Sequence, residues 1–285
     1  MRAERMVFGK TGWAVDFHGC AEIVTGLKQV LRGWQLSTGP VAAAAPTPPR
    51  AAISRHGNGW DWQALGAPKA REWDLKPPRT PMRVITDVHD AALYWYLAEN
   101  PGLLCMHGAA VKIDGRLVCF PASHRAGKST LMACLAARGH KVFADDVLGL
   151  DGRNGMALGF LPRLRVPLAA RLNRATKTYI AAHQGPADQS WIYLDPGARG
   201  MARLGEMAPI STFVLLDRLD GGKPRAAPAR TADVLRMLIA ENIVRQLPMP
   251  EIFDRLHDLA VSSNRITLRY ADPQQAARLL EKLVN

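Results

Sequence analysis

Residues 122–129 read Ala-Ser-His-Arg-Ala-Gly-Lys-Ser, and their types and spacing suit a loop that cradles phosphates. In the pattern G-x-x-x-x-G-K-[ST], backbone N–H groups surround the phosphates, the lysine reaches the β and γ oxygens, and the hydroxyl ligates Mg²⁺. Gly127, Lys128 and Ser129 hold the defining positions. A helix that begins there adds its N-terminal N–H groups and dipole to the anion site. Ala122, Ser123, His124, Arg125 and Ala126 make the rest of the loop and Thr130 follows it, so ATP with Mg²⁺ is the expected ligand. His124 is expected to face solvent, with an N–H able to touch a phosphate. The departure is Ala122, which stands where the pattern has glycine. A left-handed backbone there would strain alanine by roughly 1 kcal/mol.

Phosphoryl transfer also needs a metal near the phosphates and a group that orients or deprotonates the attacking oxygen. Asp145 and Asp146 supply two carboxylates directly after a short apolar run, at the strand end where open α/β sheets bind ligands. Successive strand residues point to opposite sides. Asp145 is therefore expected as base toward an acceptor hydroxyl, and Asp146 toward Mg²⁺ or its waters. His107, in Met106-His107-Gly108-Ala109, reads either as a core histidine or as a catalytic one.

The elements that must hold these residues follow from apolar spacing. Positions 103–113 and 116–120 are two β runs joined by Asp114-Gly115, a hairpin dipeptide. A helix over 128–138 ends at Gly139, and a strand follows at 141–143, so strand, loop, helix and strand make the βαβ unit of a nucleotide-binding core. Positions 147–150 and 212–216 read as strands, 231–245 and 273–284 as helices. Upstream, 81–100 carries the stripe of an amphipathic helix, 7–17 alternates as a strand, and 23–34 has helical spacing. The stretch 38–50, rich in Ala and Pro, is a loop or linker. The expected organisation is a small, partly β module over 1–80, with Trp60, Trp62 and Trp73 among Gly and Pro, and a catalytic domain over 81–285.

Composition narrows the partners. The 285 residues carry a formal charge of +12, which attracts anionic partners such as nucleotides or acidic peptides. Basic residues are spread along the chain without interleaved aromatics, which argues against nucleic acid. The densest group is Arg163, Arg165, Arg171, Arg174 and Lys177, where Arg163 and Arg165 are placed to steer a nucleotide or steady transferring charge, or else simply to keep the surface soluble. Cys20, Cys105, Cys119 and Cys134 show no C-x-x-C pairing and so suggest neither zinc nor a disulfide framework. No apolar run of about 18 residues suggests a spanning helix, and the opening Met1-Arg2-Ala3-Glu4-Arg5 lacks the apolar stretch of a signal peptide, so no membrane partner and a cytoplasmic location are expected. Self-association into a homo-oligomer stays open.

His107-Gly108, the hairpin, the loop ending Gly127-Lys128-Ser129, the helix closing at Arg138-Gly139-His140, and Ala144-Asp145-Asp146 together resemble the catalytic domain of HPr kinase/phosphorylase, over about residues 103–151. That resemblance implies an α/β (α+β) P-loop kinase core of the HPr kinase and phosphoenolpyruvate carboxykinase type. It implies Lys128 on the β and γ phosphates, Ser129 and Asp146 on Mg²⁺, Asp145 as the base for an acceptor serine, and His107 beside that base. The segment 160–165 lacks the Glu-containing stretch of true HPr kinases, which argues against HPr as substrate. The chain is more similar to HPr-kinase-related proteins, a set that includes kinases encoded beside lasso-peptide and other ribosomal-peptide genes. The expectation is thus ATP- and Mg²⁺-dependent transfer to a serine of a peptide or small protein. The alternatives are a kinase for a small hydroxylated molecule such as free serine, and a nucleotide-binding regulatory protein without transfer activity.

Overall fold

The computed structural model describes residues 3–41, 48–64, 80–122 and 126–284. The expectations for Ser123, His124, Arg125 and Trp73, and for most of the Ala- and Pro-rich linker, lie outside them. The chain forms two compact units, 1–99 and 100–285. Among the described residues, no helix is long and apolar enough to cross a membrane.

Among the described residues, the first unit is a five-stranded sheet with two α-helices. Its strands are β1 (Ala3–Phe8), β2 (Trp13–His18), β3 (Leu36–Pro40), β4 (Ala51–His56) and β5 (Gly59–Ala64), in the order β3-β1-β2-β4-β5. Helix α1 (Ala21–Val30) follows β2, and α2 (Pro81–Glu99) closes the unit. The single strand expected over 7–17 is instead the hairpin β1–β2, broken where Gly12 takes φ +70. The helix expected over 23–34 stops at Val30 and tightens into a 3₁₀ turn at Arg32–Trp34. Phe8, Trp13, Trp34 and Trp95 pack together at ring separations of 5.8–6.2 Å. Because α2 supplies Trp95 to that cluster, it belongs to the first unit, and the division falls after Glu99 instead of at residue 80.

The second unit carries an eight-stranded mixed sheet and a three-stranded one. In chain order it runs β6 (Leu104–Ile113), β7 (Arg116–Pro121), α3 (Lys128–Ala136), β8 (Lys141–Ala144), β9 (Val147–Asp151), β10 (Asn154–Ala157), β11 (Arg163–Arg165), α4 (Arg174–Ala182), β12 (Gln184–Ala187), β13 (Trp191–Leu194) and α5 (Gly197–Gly200). It continues with β14 (Met207–Arg218), β15 (Arg225–Pro228), α6 (Thr231–Glu241), α7 (Met249–Ser262), β16 (Asn264–Tyr270) and α8 (Pro273–Val284). The large sheet has the order β10-β9-β6-β7-β14-β16-β15, and its eighth strand, β8, pairs β6 off that path. Strand β14 is long enough to pair β10 with its first residues and β7 and β16 with the rest, which curls the sheet toward closure.

The hairpin β6–β7 turns at Asp114 (φ +45) and Gly115 (φ +82), as the Asp-Gly dipeptide predicts. Helix α3 ends in a Schellman arrangement: Gly139 at φ +92 donates to Ala136, and His140 to Leu135. Strands β7 and β8 of the βαβ unit are not neighbours, because β6 lies between them and is antiparallel to both. They still run parallel to each other, so the loop after β7 and the carboxylates after β8 emerge at the same end of the sheet.

Candidate active site

Helix α3 is preceded by its N-cap Gly127, whose φ of +93 only glycine adopts without strain. A methyl group there would also lie 2.6 Å from the Tyr270 hydroxyl. Gly127→Ala is therefore expected to cost about 1–2 kcal/mol through the backbone, with the clash added. Thermal melts should show a lowered Tm, partly restored by Tyr270→Phe in the same chain. No restoration would mean that the hydroxyl does not press on the loop. The concern over Ala122 lapses, because among the described residues only Gln35 and Asp114 combine a side chain with positive φ. Ala122 instead points its carbonyl inward, where it accepts a 2.5 Å hydrogen bond from the Lys128 ammonium.

Lys128 is buried, with 6% exposure. Burial lowers its pKa, while Asp145, Asp146 and Glu241 pull it back up. The Lys128 ammonium is thus set among three carboxylates.

Asp145 and Asp146 span the gap where the edge of β6 passes from β8 to β9: Ala110 pairs Ala144, and His107 pairs Val147. The amide of Gly108 holds the gap closed by donating to the Asp146 carbonyl at 2.9 Å. Their side chains part as strand alternation predicts. Asp145 is 6% exposed and the Asp146 side chain 45%. Asp145 Oδ2 accepts the Arg163 backbone N–H at 3.0 Å. Its Oδ1 is buried and, among the described residues, no donor meets it at hydrogen-bond geometry, although the Ser129 hydroxyl is near enough to favour the charged form. Desolvation dominates and pushes Asp145 up to about 6, against the pull of the Arg163 amide.

His107 joins the two halves of the site. Its Nε2 lies 3.0 Å from Asp146 Oδ1 and its Nδ1 2.7 Å from Glu241 Oε2. The hydrogen bond with Asp146 raises its pKa most, burial and Lys128 oppose, and Glu241 adds to the rise. In its protonated form a ring held so donates from both nitrogens, one to each carboxylate. Glu241 ends α6, and the chain just beyond it is stitched to β6 by the Ile243 N–H on the Cys105 carbonyl at 2.9 Å. Glu241→Gln should move the His107 titration to lower pH, followed on the imidazole C–H signals by NMR, while Gln keeps an acceptor for Nδ1. An unmoved titration would remove Glu241 as a source of the shift.

The structure therefore brings together Lys128, Ser129, Asp145, Asp146 and His107, with Ala122 and Gly127 shaping the loop. Sequence reasoning missed Glu241 and Tyr270, as well as the backbone amide of Arg163. Glu241 had one signal, its place near the end of a predicted helix; Tyr270 had none. Arg163 extends its guanidinium to 3.9 Å from Asp146. Oxygen donors of this kind, a hydroxyl and one or two carboxylates, suit Mg²⁺, which completes its shell with phosphate oxygens and water. Among the described residues no three His, Cys, Asp or Glu side chains are grouped to hold a metal by themselves.

No protein-family model matches the chain, and no curated protein does. The solved structure of the Hpr(Ser) kinase/phosphatase from Coxiella burnetii aligns with 63% of this chain and 93% of its own, at 14% identity and a TM-score of 0.31. A likeness of that degree is too slight to carry function, so the site's own geometry must do so.

Proposed function

We propose that this chain transfers the γ-phosphoryl group of ATP to a serine hydroxyl on a peptide or small protein. One observation carries the reading: a buried carboxylate, Asp145, whose Oδ1 no donor among the described residues meets at hydrogen-bond geometry, sits beside Ser129 and Lys128 at the start of a phosphate-loop helix. In the transfer, the acceptor oxygen bonds to the γ phosphorus and the bond from that phosphorus to the β–γ bridging oxygen breaks. The acceptor proton goes to Asp145 Oδ1, and ADP leaves. Lys128 exchanges the Ala122 carbonyl for β and γ oxygens. Mg²⁺, held by Ser129 and Asp146, would neutralise the phosphate charge. The His107 cation, braced by Glu241, keeps Asp146 turned toward that position. Most of the acceleration would come from positioning and charge, since little covalent chemistry falls to the protein.

The test is transfer from ATP radiolabelled at its γ-phosphate, with Mg²⁺, to serine-containing peptides and to free serine. Labelled peptide is the expected product. Label on free serine alone would point to a small-molecule kinase, and tight ATP binding without any transfer would end the enzyme reading.

A further inference from the structure

Beside the catalytic carboxylates stands the three-stranded sheet, in the order β11-β13-β12, so β11 is one of its edges. Its backbone alternates in a readable way. Pro162 and Val166 bond toward β13, through the Leu194 N–H and the Ser190 carbonyl at 2.8 Å each, whereas Arg163 turns its N–H outward to Asp145. By the same alternation Arg165, two residues on, also turns its N–H and C=O to the open edge. The side chains of Arg163 and Arg165 lie over one indole, Trp191, with guanidinium carbons 4.6 and 4.7 Å from the ring. Asp188 Oδ1 accepts the amides of Ser190 and Trp191 at 2.7 and 2.8 Å, which fixes the start of the strand that presents the indole.

Two like charges on one ring repel unless an anion lies between them. Asp146 stands 3.9 Å from Arg163 and is already engaged by His107. Among the described residues no carboxylate forms an ion pair with Arg165, which is exposed.

Resting on the kinase reading, we infer that the acceptor is an acidic peptide segment, docked in extended form along the outer edge of β11 at Arg165, beyond the Arg163 amide that Asp145 occupies, with its carboxylates between Arg163 and Arg165. A strand advances about 3.3 Å per residue, so Arg165 lies roughly 7 Å along from the amide that touches Asp145. The acidic residue then falls within about three positions of the acceptor serine. Strand addition supplies backbone hydrogen bonds, and the arginines supply the selection.

The test uses short fluorescein-labelled peptides with one serine, flanked by aspartates, by alanines or by lysines, and follows binding to the full chain by anisotropy. The aspartate peptide should bind at least about tenfold more tightly than the lysine peptide, a difference that shrinks at high salt. Arg165→Glu should erase or invert that preference, and Arg165→Gln, whose smaller charge change disturbs the nucleotide least, should weaken it; melts confirm that both variants fold. Equal binding of all three peptides would overturn the inference, as would a variant that loses ATP affinity and keeps the peptide preference. Selective binding of the aspartate peptide without phosphorylation would sustain the docking edge and count against the transfer reading instead.

Discussion

Asp145→Asn is expected to cut transfer steeply, retain ATP binding, and melt at or above the wild-type Tm at pH 8. The loss of a general base should lower kcat by about 10²–10⁴-fold. The stability change follows from the direction of the pKa shift. Asp145 stands at about 6 in the folded protein against an ordinary 3.8, so the folded state holds its proton more tightly than the unfolded chain. Stability from this group is greatest below 3.8, falls as pH climbs to about 6, and is fully forgone above that. Two pKa units correspond to about 3 kcal/mol, from which the cost of one unpaired amide, about 1–3 kcal/mol, must be taken. Asparagine keeps an oxygen for the Arg163 amide, so the variant should melt at or a few degrees above wild type at pH 8, and lose that margin at pH 4. A Tm at pH 8 well below wild type would show that the charge is not the burden described. The same titration gives the activity profile: transfer rises through about pH 6 as Asp145 loses its proton, and falls at higher pH as His107 loses its own.

Lys128→Met should have the largest effect on the nucleotide. The ammonium faces Asp145, Asp146 and Glu241, and without it the phosphates would meet three carboxylates with one cation fewer. Truncating one partner of a buried charge set costs about 2–5 kcal/mol, so ATP affinity should fall by about 100-fold or more, read by displacement of a fluorescent nucleotide. Since Lys128 also draws the Asp145 pKa down, any residual transfer should need a higher pH to appear. Lys128→Arg should not rescue, because a planar fork cannot occupy a place where the ammonium already lies 2.5 Å from the Ala122 carbonyl. Near-normal affinity in the methionine variant would place the phosphates elsewhere.

The order from β6 to β9 was legible in the sequence because each boundary has a local cause. Asp114-Gly115 requires the hairpin, Gly127 and Gly139 bracket α3, and the apolar runs are short enough to be strands. What local chemistry cannot express is which strand inserts between which. The sequence order of β7, α3 and β8 is silent on the hairpin partner β6, which occupies the place between the two strands. The same limit hid Glu241 and Tyr270. Each reaches the site through pairing set far along the chain, Glu241 from the end of α6 and Tyr270 from the end of β16. Helix α7 and strand β16 were missed for a different reason. The stripe Ile252, Leu256, Leu259 of α7 is readable, but β16 alternates apolar residues with arginines and resembles a solvated surface until β14 covers one edge.

The two long-range partners also set an order of assembly. Lys128 reaches its carbonyl across 6 residues and Arg163 its carboxylate across 18, whereas Glu241 meets His107 across 134 and Tyr270 meets the loop across 144. Closing a long loop costs more entropy than closing a short one, so distant contacts are the late ones in folding. A chain emerging from synthesis would thus gather the phosphate loop and both carboxylates while the brace on His107 and the wall behind Gly127 were still unmade. Competence would arrive only with the last third of the chain.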